Sequence, residues 1–285
     1  MSGIGFAVVA ALVWGGYIFL LKRWFTSYPP AGLIVLINTA AVLWYLPVIS
    51  LQPEQVFGAA SEFGAAEAGI MVLNSVTTAG ALILFLRALA TGEVSYVTPI
   101  NKIVPVFVLP IEIVFLGQFL TPLQVFGLVV ATLAVYVANY EPGGFFQPFV
   151  KAAHSRPAQF AVLSAVCFAV ADVACRVGLQ ELAITQQLWV LLLFVVTAVV
   201  LLPGVIANPP QVSRVDLPKF VVVGAFVAAG EHLTALAFAV LPASIASPIV
   251  NTQAIVAVVL GGILLSEEYF RLRLLAVVGV TLLSL

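Results

Sequence analysis

The sequence predicts an all-α membrane protein of ten transmembrane helices, arranged as two inverted five-helix repeats, and three observations lead to this prediction. Of the 285 residues, 63% are hydrophobic and only 8% are charged, whereas a soluble domain carries about 25% charged residues. The apolar runs are continuous and have the length of a helix that crosses a bilayer. Motifs of the first half also recur in the second. These properties exclude a soluble enzyme, a secreted disulfide scaffold and a disordered protein, and the net charge of −1 argues against a nucleic-acid-binding protein.

Charged or Pro/Gly-rich breaks divide the chain into ten apolar runs, each of which is predicted to be one membrane span. The first run lacks the basic start and the small-residue cleavage site of a signal peptide, so we predict that it is a span as well. The ten predicted spans cover residues 4–22, 31–51, 67–89, 94–116, 122–140, 158–178, 186–206, 218–240, 244–265 and 269–285.

Basic residues lie almost entirely on one side of the predicted membrane. The opposite side has only Arg176, and Lys102 lies within a span. Because cytoplasmic loops are enriched in Lys and Arg, we predict that the loops after the odd-numbered spans are cytoplasmic. The protein is then a multi-pass protein of the plasma (inner) membrane, and both of its termini lie on the outer side. The basic residues in or beside those loops are Lys22, Arg23, Arg87, Lys151, Arg156, Arg214, Lys219, Arg271 and Arg273.

An internal repeat relates the two halves of the chain. Residues 88–100 (ALATGEVSYVTPI) recur 149 residues later as residues 237–249 (AFAVLPASIASPI), and residues 14–22 match residues 168–176 at an offset of 154. Because each half has five spans, an odd number, the second half enters the membrane upside down. Inverted repeats are typical of secondary transporters, whose substrate site lies between the repeats near the midplane. We therefore predict repeats at 1–140 and 158–285, joined by a cytoplasmic linker at 141–157.

Three motifs resemble the EamA domain: the Trp14-Gly15 start, the Ala88-Leu89 junction, and residues 116–127 (LGQFLTPLQVFG). Two tandem EamA domains form the ten-helix members of the drug/metabolite transporter superfamily, and the resemblance covers the whole chain. It implies alternating-access transport of a small solute, usually export, with spans 3, 4, 8 and 9 around a central cavity. The family usually has Glu where this chain has Gln118, and the second copy keeps Glu267.

Polar side chains inside the spans are the candidates for a substrate site, because ionisable residues at membrane depth are costly and mark function. Lys102 lies in span 4 among three prolines, which bend or break a helix, and its charge attracts a carboxylate or phosphate. The alternative is a resting ion pair that only packs the bundle. The repeat places Asn251 opposite Lys102. For the other candidates, packing or hydrogen bonding between helices is the alternative. The predicted substrate-binding residues are Lys102, Asn101, Asn251, Gln253, Asn74, Thr78, Trp14 and Tyr17.

Three further ionisable residues are candidates for proton coupling: Glu231, His232 and Asp172. Glu231 and His232 lie at the middle of span 8, but adjacent helix positions point about 100° apart, so one cavity does not face both squarely. Asp172 lies four residues before Arg176, the spacing of a structural ion pair on one helix face. A structural role is therefore the alternative for each of the three.

The leading functional prediction is a secondary active transporter, an exporter of a small metabolite, amino acid or amphipathic compound. The alternatives are a sugar-phosphate or nucleotide-sugar exchanger and, further from the pattern, a channel or a non-transporting scaffold. The sequence has neither a nucleotide-binding motif nor a catalytic one, so we expect no enzyme activity, no cofactor and no metal. The expected partners are a small-molecule substrate, the lipid bilayer and a proton or exchanged solute, with no nucleic acid. Small residues along span 5 fit a monomer or a weak homodimer.

Overall fold

A computed structural model describes residues 2–58, 60, 63–101, 103–117 and 155–264 of the chain. Within these residues, seven helical segments are long and apolar enough to cross a membrane. The predicted spans 122–140 and 269–285, and nearly all of the predicted linker at 141–157, lie outside the described residues. The helices are α1 (Gly3–Trp24), α2 (Pro30–Leu51), α3 (Ala65–Thr91), α4 (Val94–Asn101), α5 (Val104–Leu116), α6 (Arg156–Arg176), α7 (Gln186–Ala207), α8 (Leu217–Phe238), α9 (Ala243–Asn251) and α10 (Gln253–Leu264).

The helices begin where the sequence supplies helix-starting residues. The Ser2 hydroxyl accepts a hydrogen bond from the Gly5 N–H at the start of α1, at 3.3 Å, which satisfies one of the unpaired N–H groups of the first turn. Pro30, Pro157 and Pro218 lie in the first turns of α2, α6 and α8, where the missing N–H of proline costs nothing. Every predicted span within the described residues is helical, so the all-α membrane fold is confirmed.

Two predicted spans are broken at repeat-equivalent positions. Span 4 is divided into α4 and α5 before Val104, and span 9 into α9 and α10 at Thr252. The Ile103 N–H bonds the carbonyl three residues earlier at 3.4 Å, and the Thr252 N–H does the same at 3.1 Å. Because Ile103 and Thr252 are separated by the repeat offset of 149 residues, both breaks belong to the repeated architecture.

The two halves of the chain interlock. Helix α3 of the first half packs along α6 of the second, α1 packs along α8 and α10, and α2 packs against α7 and α8. The main hydrophobic core accordingly contains buried residues of both halves, such as Ile37 and Phe194. The packed interior of the bundle is therefore built by both repeats together.

The charged residues mark two different ends of the bundle. We call the end at which α1 and α3 finish and α2, α6 and α8 begin the basic end. There the Lys22 ammonium donates to the carbonyls of Leu89 and Gly92, both at 2.7 Å, while Asp216 accepts from the Tyr28 hydroxyl and from Lys219, both at 2.6 Å. We call the opposite end the far end. The described part of the predicted basic loops thus lies at one end.

The crossing of α2 and α8 depends on Gly224. A Cβ atom at Gly224 would lie 2.6 Å from the Ala40 Cβ and 2.9 Å from the Ala40 carbonyl carbon. Since helix backbones at this distance cannot accept a side chain without moving apart, the Gly224→Ala substitution is expected to lower the free energy of unfolding by about 1–3 kcal/mol.

Gly69 provides the matched control for this prediction. It lies in α3 with nothing within 4 Å of an added Cβ, so Gly69→Ala is expected to raise the free energy of unfolding by about 0.5–1 kcal/mol through helix propensity. The measurement is the thermal unfolding midpoint of each purified variant in detergent. A rise of the midpoint in both variants would show that α2 and α8 are not packed at Gly224.

Candidate functional site

A central cavity lies between the two halves of the bundle. Helices of both repeats contribute to its wall, including α1, α2 and α3 of the first and α6, α7 and α8 of the second. Residues beside both helix breaks, namely Val104, Asn251 and Gln253, also face it. Its aromatic lining residues are Trp14, Tyr17, Phe85, Phe168, Trp189, Phe194 and Phe238, and its polar ones are Asn38, Asn74, Thr78, Asp172, Thr197, Glu231, Thr234, Asn251 and Gln253.

The size of the cavity suits a small organic ligand. Its volume is about 130 Å³, and an apolar protein cavity of about 150 Å³ accepts benzene. Small-molecule sites combine a mostly apolar and aromatic wall with a few polar groups that orient the ligand. The cavity has both features, so it is the candidate substrate site.

Two contacts hold the Trp14 ring in place in the cavity wall. Its indole N–H donates to the Thr234 hydroxyl of α8 at 3.0 Å, and its ring contacts the ring of Tyr17 edge to face, with centroids 5.3 Å apart. Trp14 and Tyr17 belong to α1 and Thr234 to α8, so this bond joins the two repeats across the cavity. A ring held at one end by a hydrogen bond presents a fixed apolar face to a ligand.

Two carboxylates face the cavity from the second repeat. Asp172 of α6 accepts a hydrogen bond from the Ser247 hydroxyl of α9, and Asn251 in turn donates to the Ser247 carbonyl at 2.8 Å and hydroxyl at 3.1 Å. Glu231 of α8 lines the same cavity. This arrangement places two groups able to exchange protons in one space between the repeats.

Two buried polar atoms of the cavity wall lack a hydrogen-bond partner within the described residues. These are the side-chain carbonyl oxygen of Asn74 and the hydroxyl of Thr197, in residues that are 3% and 1% exposed. The Asn74 amide nitrogen is engaged, since it donates to the Ala171 carbonyl at 2.8 Å. A buried polar atom without a partner is costly, so a polar ligand or water in the cavity stabilises both groups.

The structure brings most of the predicted site residues together. Trp14, Tyr17, Asn74, Thr78, Asn251 and Gln253, with Asp172 and Glu231, all line the cavity. Lys102 lies outside the described residues.

Asn101 and His232 are placed apart from the cavity wall. Asn101 is fully buried and its amide donates to the Ser164 hydroxyl of α6 at 2.9 Å, an interhelical contact. The His232 Nδ1 atom lies 2.8 Å from the Tyr45 hydroxyl of α2. Because adjacent helix positions diverge by about 100°, Glu231 and His232 face different neighbours.

Sequence reasoning missed several wall residues. Asn38, next to Thr39, and Thr197 are polar residues within long apolar runs, and this was the available signal for them. Asn38 donates to the Phe194 carbonyl at 3.3 Å. Trp189 lies in the same helix as Thr197 and two turns before it, so Thr197 was the signal available for the side of this helix that turns to the cavity.

The comparisons with known proteins identify the family. A model of the EamA-like transporter family matches residues 1–140 and 156–285. The chain belongs to this family. The two matched copies carry the signature of the drug/metabolite transporter superfamily, so the chain is a multi-pass membrane protein of a transporter family.

Solved structures show the same fold. Twenty-seven chains match, and one of them, named only "Crystal structure of protein", has 15% sequence identity and a TM-score of 0.70. The match covers 100% of this chain and 97% of that chain. A search of curated proteins finds no match. The EamA family therefore rests on the family model, and the structural likeness supports the fold alone.

The Trp14–Thr234 bond makes a testable contribution to stability. Thr234→Val keeps the side-chain volume but leaves the buried indole N–H without an acceptor, so we expect the free energy of unfolding to fall by about 1–3 kcal/mol. Thr234→Ser keeps the acceptor and is expected to retain most of the wild-type stability. Thermal unfolding of the detergent-solubilised variants measures both. A wild-type midpoint in Thr234→Val would show that the Trp14–Thr234 hydrogen bond does not stabilise the fold.

Proposed function

We propose that the protein is a secondary active transporter that exports a small metabolite, amino acid or amphipathic compound by alternating access at the central cavity. The observation that carries the proposal is the cavity itself, whose wall is built by both inverted repeats and contains both helix breaks. In such transporters, one repeat rocks against the other around a fixed midplane site. A ligand bound between Trp14 of α1 and Glu231 of α8 contacts both halves, so its binding energy acts on their relative position.

The residues proposed to bind the substrate fall into two groups. Trp14 and Tyr17 supply an apolar surface, and Asn74, Asn251 and Gln253 supply hydrogen-bonding groups. We keep Lys102, on the sequence argument, as the contact for an anionic group of the substrate. Thr78 contributes a further hydroxyl to the wall, whereas the contacts of Asn101 with α6 favour an interhelical role for that residue.

Coupling to protons is proposed to act through the two cavity carboxylates, Glu231 and Asp172. A carboxylate that exchanges a proton as the cavity changes sides links proton flow to substrate flow. His232 is the weaker candidate, because its ring bonds Tyr45 instead of facing the cavity. Exchange for a second solute is the alternative source of energy.

The chemistry of the cavity favours this function over the others considered. The charged side chains that line it within the described residues are both acidic, which repels substrates with several phosphates and disfavours a sugar-phosphate or nucleotide-sugar exchanger. We propose transport rather than catalysis, in the plasma membrane, with the basic end and the 141–157 linker in the cytoplasm and both termini outside. A monomer or weak homodimer suffices, because each chain contains both repeats.

Counterflow uptake in proteoliposomes, with a panel of labelled metabolites, amino acids and amphipathic compounds, tests the function directly. We expect at least one compound to accumulate, and Lys102→Ala to reduce its uptake by about tenfold, as the loss of one charged contact worth about 1.4 kcal/mol implies. Lys219→Ala removes a cation at the basic end and serves as the control, with uptake unchanged. Normal uptake of every accepted compound by Lys102→Ala would remove Lys102 from the site.

Proton coupling through Glu231 makes a separate prediction. A pH gradient of one unit supports at most about a tenfold accumulation per proton exchanged, so wild-type uptake should rise when the gradient is imposed. Glu231→Gln is expected to abolish this stimulation, because glutamine has no proton to exchange. Glu54→Gln, an exposed far-end substitution, should respond like the wild type. Full stimulation in Glu231→Gln would show that this carboxylate does not couple transport to protons.

A further inference from the structure

A buried polar network lies at the far end of the bundle and joins the two repeats. The Arg176 guanidinium, at the end of α6, lies 3.4 Å from the Glu112 carboxylate of α5 and 3.4 Å from that of Glu181. The Ser244 N–H, at the start of α9, donates to the other Glu112 oxygen at 3.1 Å. Glu112 and Arg176 are only 1% and 8% exposed. An ion pair between the first and second repeats is thus enclosed at this end.

Gln180 extends the network to α8. Its amide nitrogen donates to the carbonyls of Phe238 and Leu241, at 2.6 and 2.7 Å, and its amide oxygen lies 3.4 Å from the Arg176 Nε atom. Phe238 and Leu241 are the repeat equivalents, at the offset of 149, of the residues whose carbonyls Lys22 bonds at the basic end. Equivalent pairs of carbonyl groups are therefore capped at both ends of the molecule, by Lys22 at the basic end and by Gln180 at the far end.

The two ends differ in the acidic residue. The repeat equivalent of Glu112, at the offset of 149, is Gly261. The equivalent of Arg176, at the offset of 154, is Lys22. At the basic end, Lys22 therefore supplies the cation, but Gly261, which stands at the position of Glu112, supplies no carboxylate.

The network lies on the far-end side of the cavity. Cys175 and Asp172 line the cavity, and Arg176 and Gln180 follow them toward the far end of the same helix and the turn after it. Phe238, whose carbonyl Gln180 bonds, also lines the cavity. The ion pair thus lies between the cavity and the far-end surface.

A buried ion pair is an expensive way to hold two helices together. Apolar residues of similar volume often stabilise a protein as much or more, and a switch or register role is the best-attested reason to keep buried charges. When such a pair separates and water enters, both charges become solvated, which costs less than leaving either charge unpaired in a dry interior. A charged pair therefore suits a contact that must form and break.

We propose that the Glu112–Arg176 pair, with Gln180 and Ser244, is the far-end gate of the transport cavity, which holds the molecule closed on that side. The proposal rests on the alternating-access function proposed above. Breaking the network opens the cavity to the far-end side without opening it to the basic-end side.

The native Cys175 provides the reporter for this gate. It lines the cavity and is 9% exposed, and in a Cys167→Ser background it is the sole cysteine, since the chain has two. The experiment measures the rate at which a membrane-impermeant maleimide labels Cys175 in the full-length protein, in intact cells and in inside-out vesicles. A separate Glu54→Cys marker, in the exposed turn Glu54–Gly58 at the far end, identifies the preparation in which that end faces the reagent.

Glu112→Gln and Gln180→Leu are the test variants. Glu112→Gln removes the charge that pairs with Arg176, and Gln180→Leu removes the donor to the Phe238 and Leu241 carbonyls. Each is expected to raise Cys175 labelling from the far-end side by about tenfold or more and to leave labelling from the basic-end side unchanged. Asp216→Asn, which breaks the Lys219–Asp216 ion pair at the opposite end, is the matched control and should not raise far-end labelling. If Glu112→Gln does not fold, as judged by size-exclusion chromatography, Gln180→Leu decides the outcome.

Two results would overturn the gate. One is a far-end labelling rate in the folded Glu112→Gln and Gln180→Leu proteins that equals the wild-type rate. The other is an equal rise of the labelling rate from both sides, which indicates a general loosening of the bundle. The assay needs no substrate, so its outcome is separate from that of the uptake experiment. Far-end labelling that rises in a protein without counterflow activity supports the gate and counts against the transport function.

Discussion

Inside a bilayer, each backbone N–H or C=O group that lacks a partner costs several kcal/mol, and broken helices are found only where protein or a water-filled cavity surrounds them. This chain interrupts two spans, at Ile103 and Thr252, and residues beside both breaks face the central cavity. The rest of the bundle follows from this constraint. Helices of both repeats must surround the breaks, and the interlocking of α1 with α8 and of α3 with α6 provides that enclosure.

Repetition sets the backbone, and individual substitutions then make the two ends different. The breaks and the capped carbonyls obey the 149-residue offset, whereas Glu112 and its equivalent Gly261 do not share a chemistry. An ideal inverted repeat has equivalent closed states on the two sides. A carboxylate present in only one copy removes that equivalence, and it stabilises closure at the end where it lies. Direction in such a protein therefore comes from departures from the repeat.

The sequence predicted the helices, a bend or break at the prolines of span 4 and eight of the cavity-lining residues, because these depend on hydrophobic length, proline and local offsets. It did not predict partners that are distant along the chain. The spacing of Asp172 and Arg176 indicated a pair on one helix, and it gave no sign that Arg176 also contacts Glu112 of another helix. Which of Glu231 and His232 faces the cavity depends on the rotation of α8 against α2, and that rotation is fixed by close packing at Gly224, which no local pattern encodes.

The proposed gate must also be weak enough for a ligand to open. Removing one partner of a buried ion pair costs about 3–5 kcal/mol because the other charge is left unpaired, and this is an upper bound on what the intact pair contributes. Ligands supply about 0.3–1.5 kcal/mol per non-hydrogen atom, so a compound that fits a cavity of about 130 Å³ supplies a few kcal/mol in total. Only the part of this energy that differs between the two states moves the equilibrium. The binding energy of one small ligand is therefore of the same order as the contribution of the Glu112–Arg176 pair.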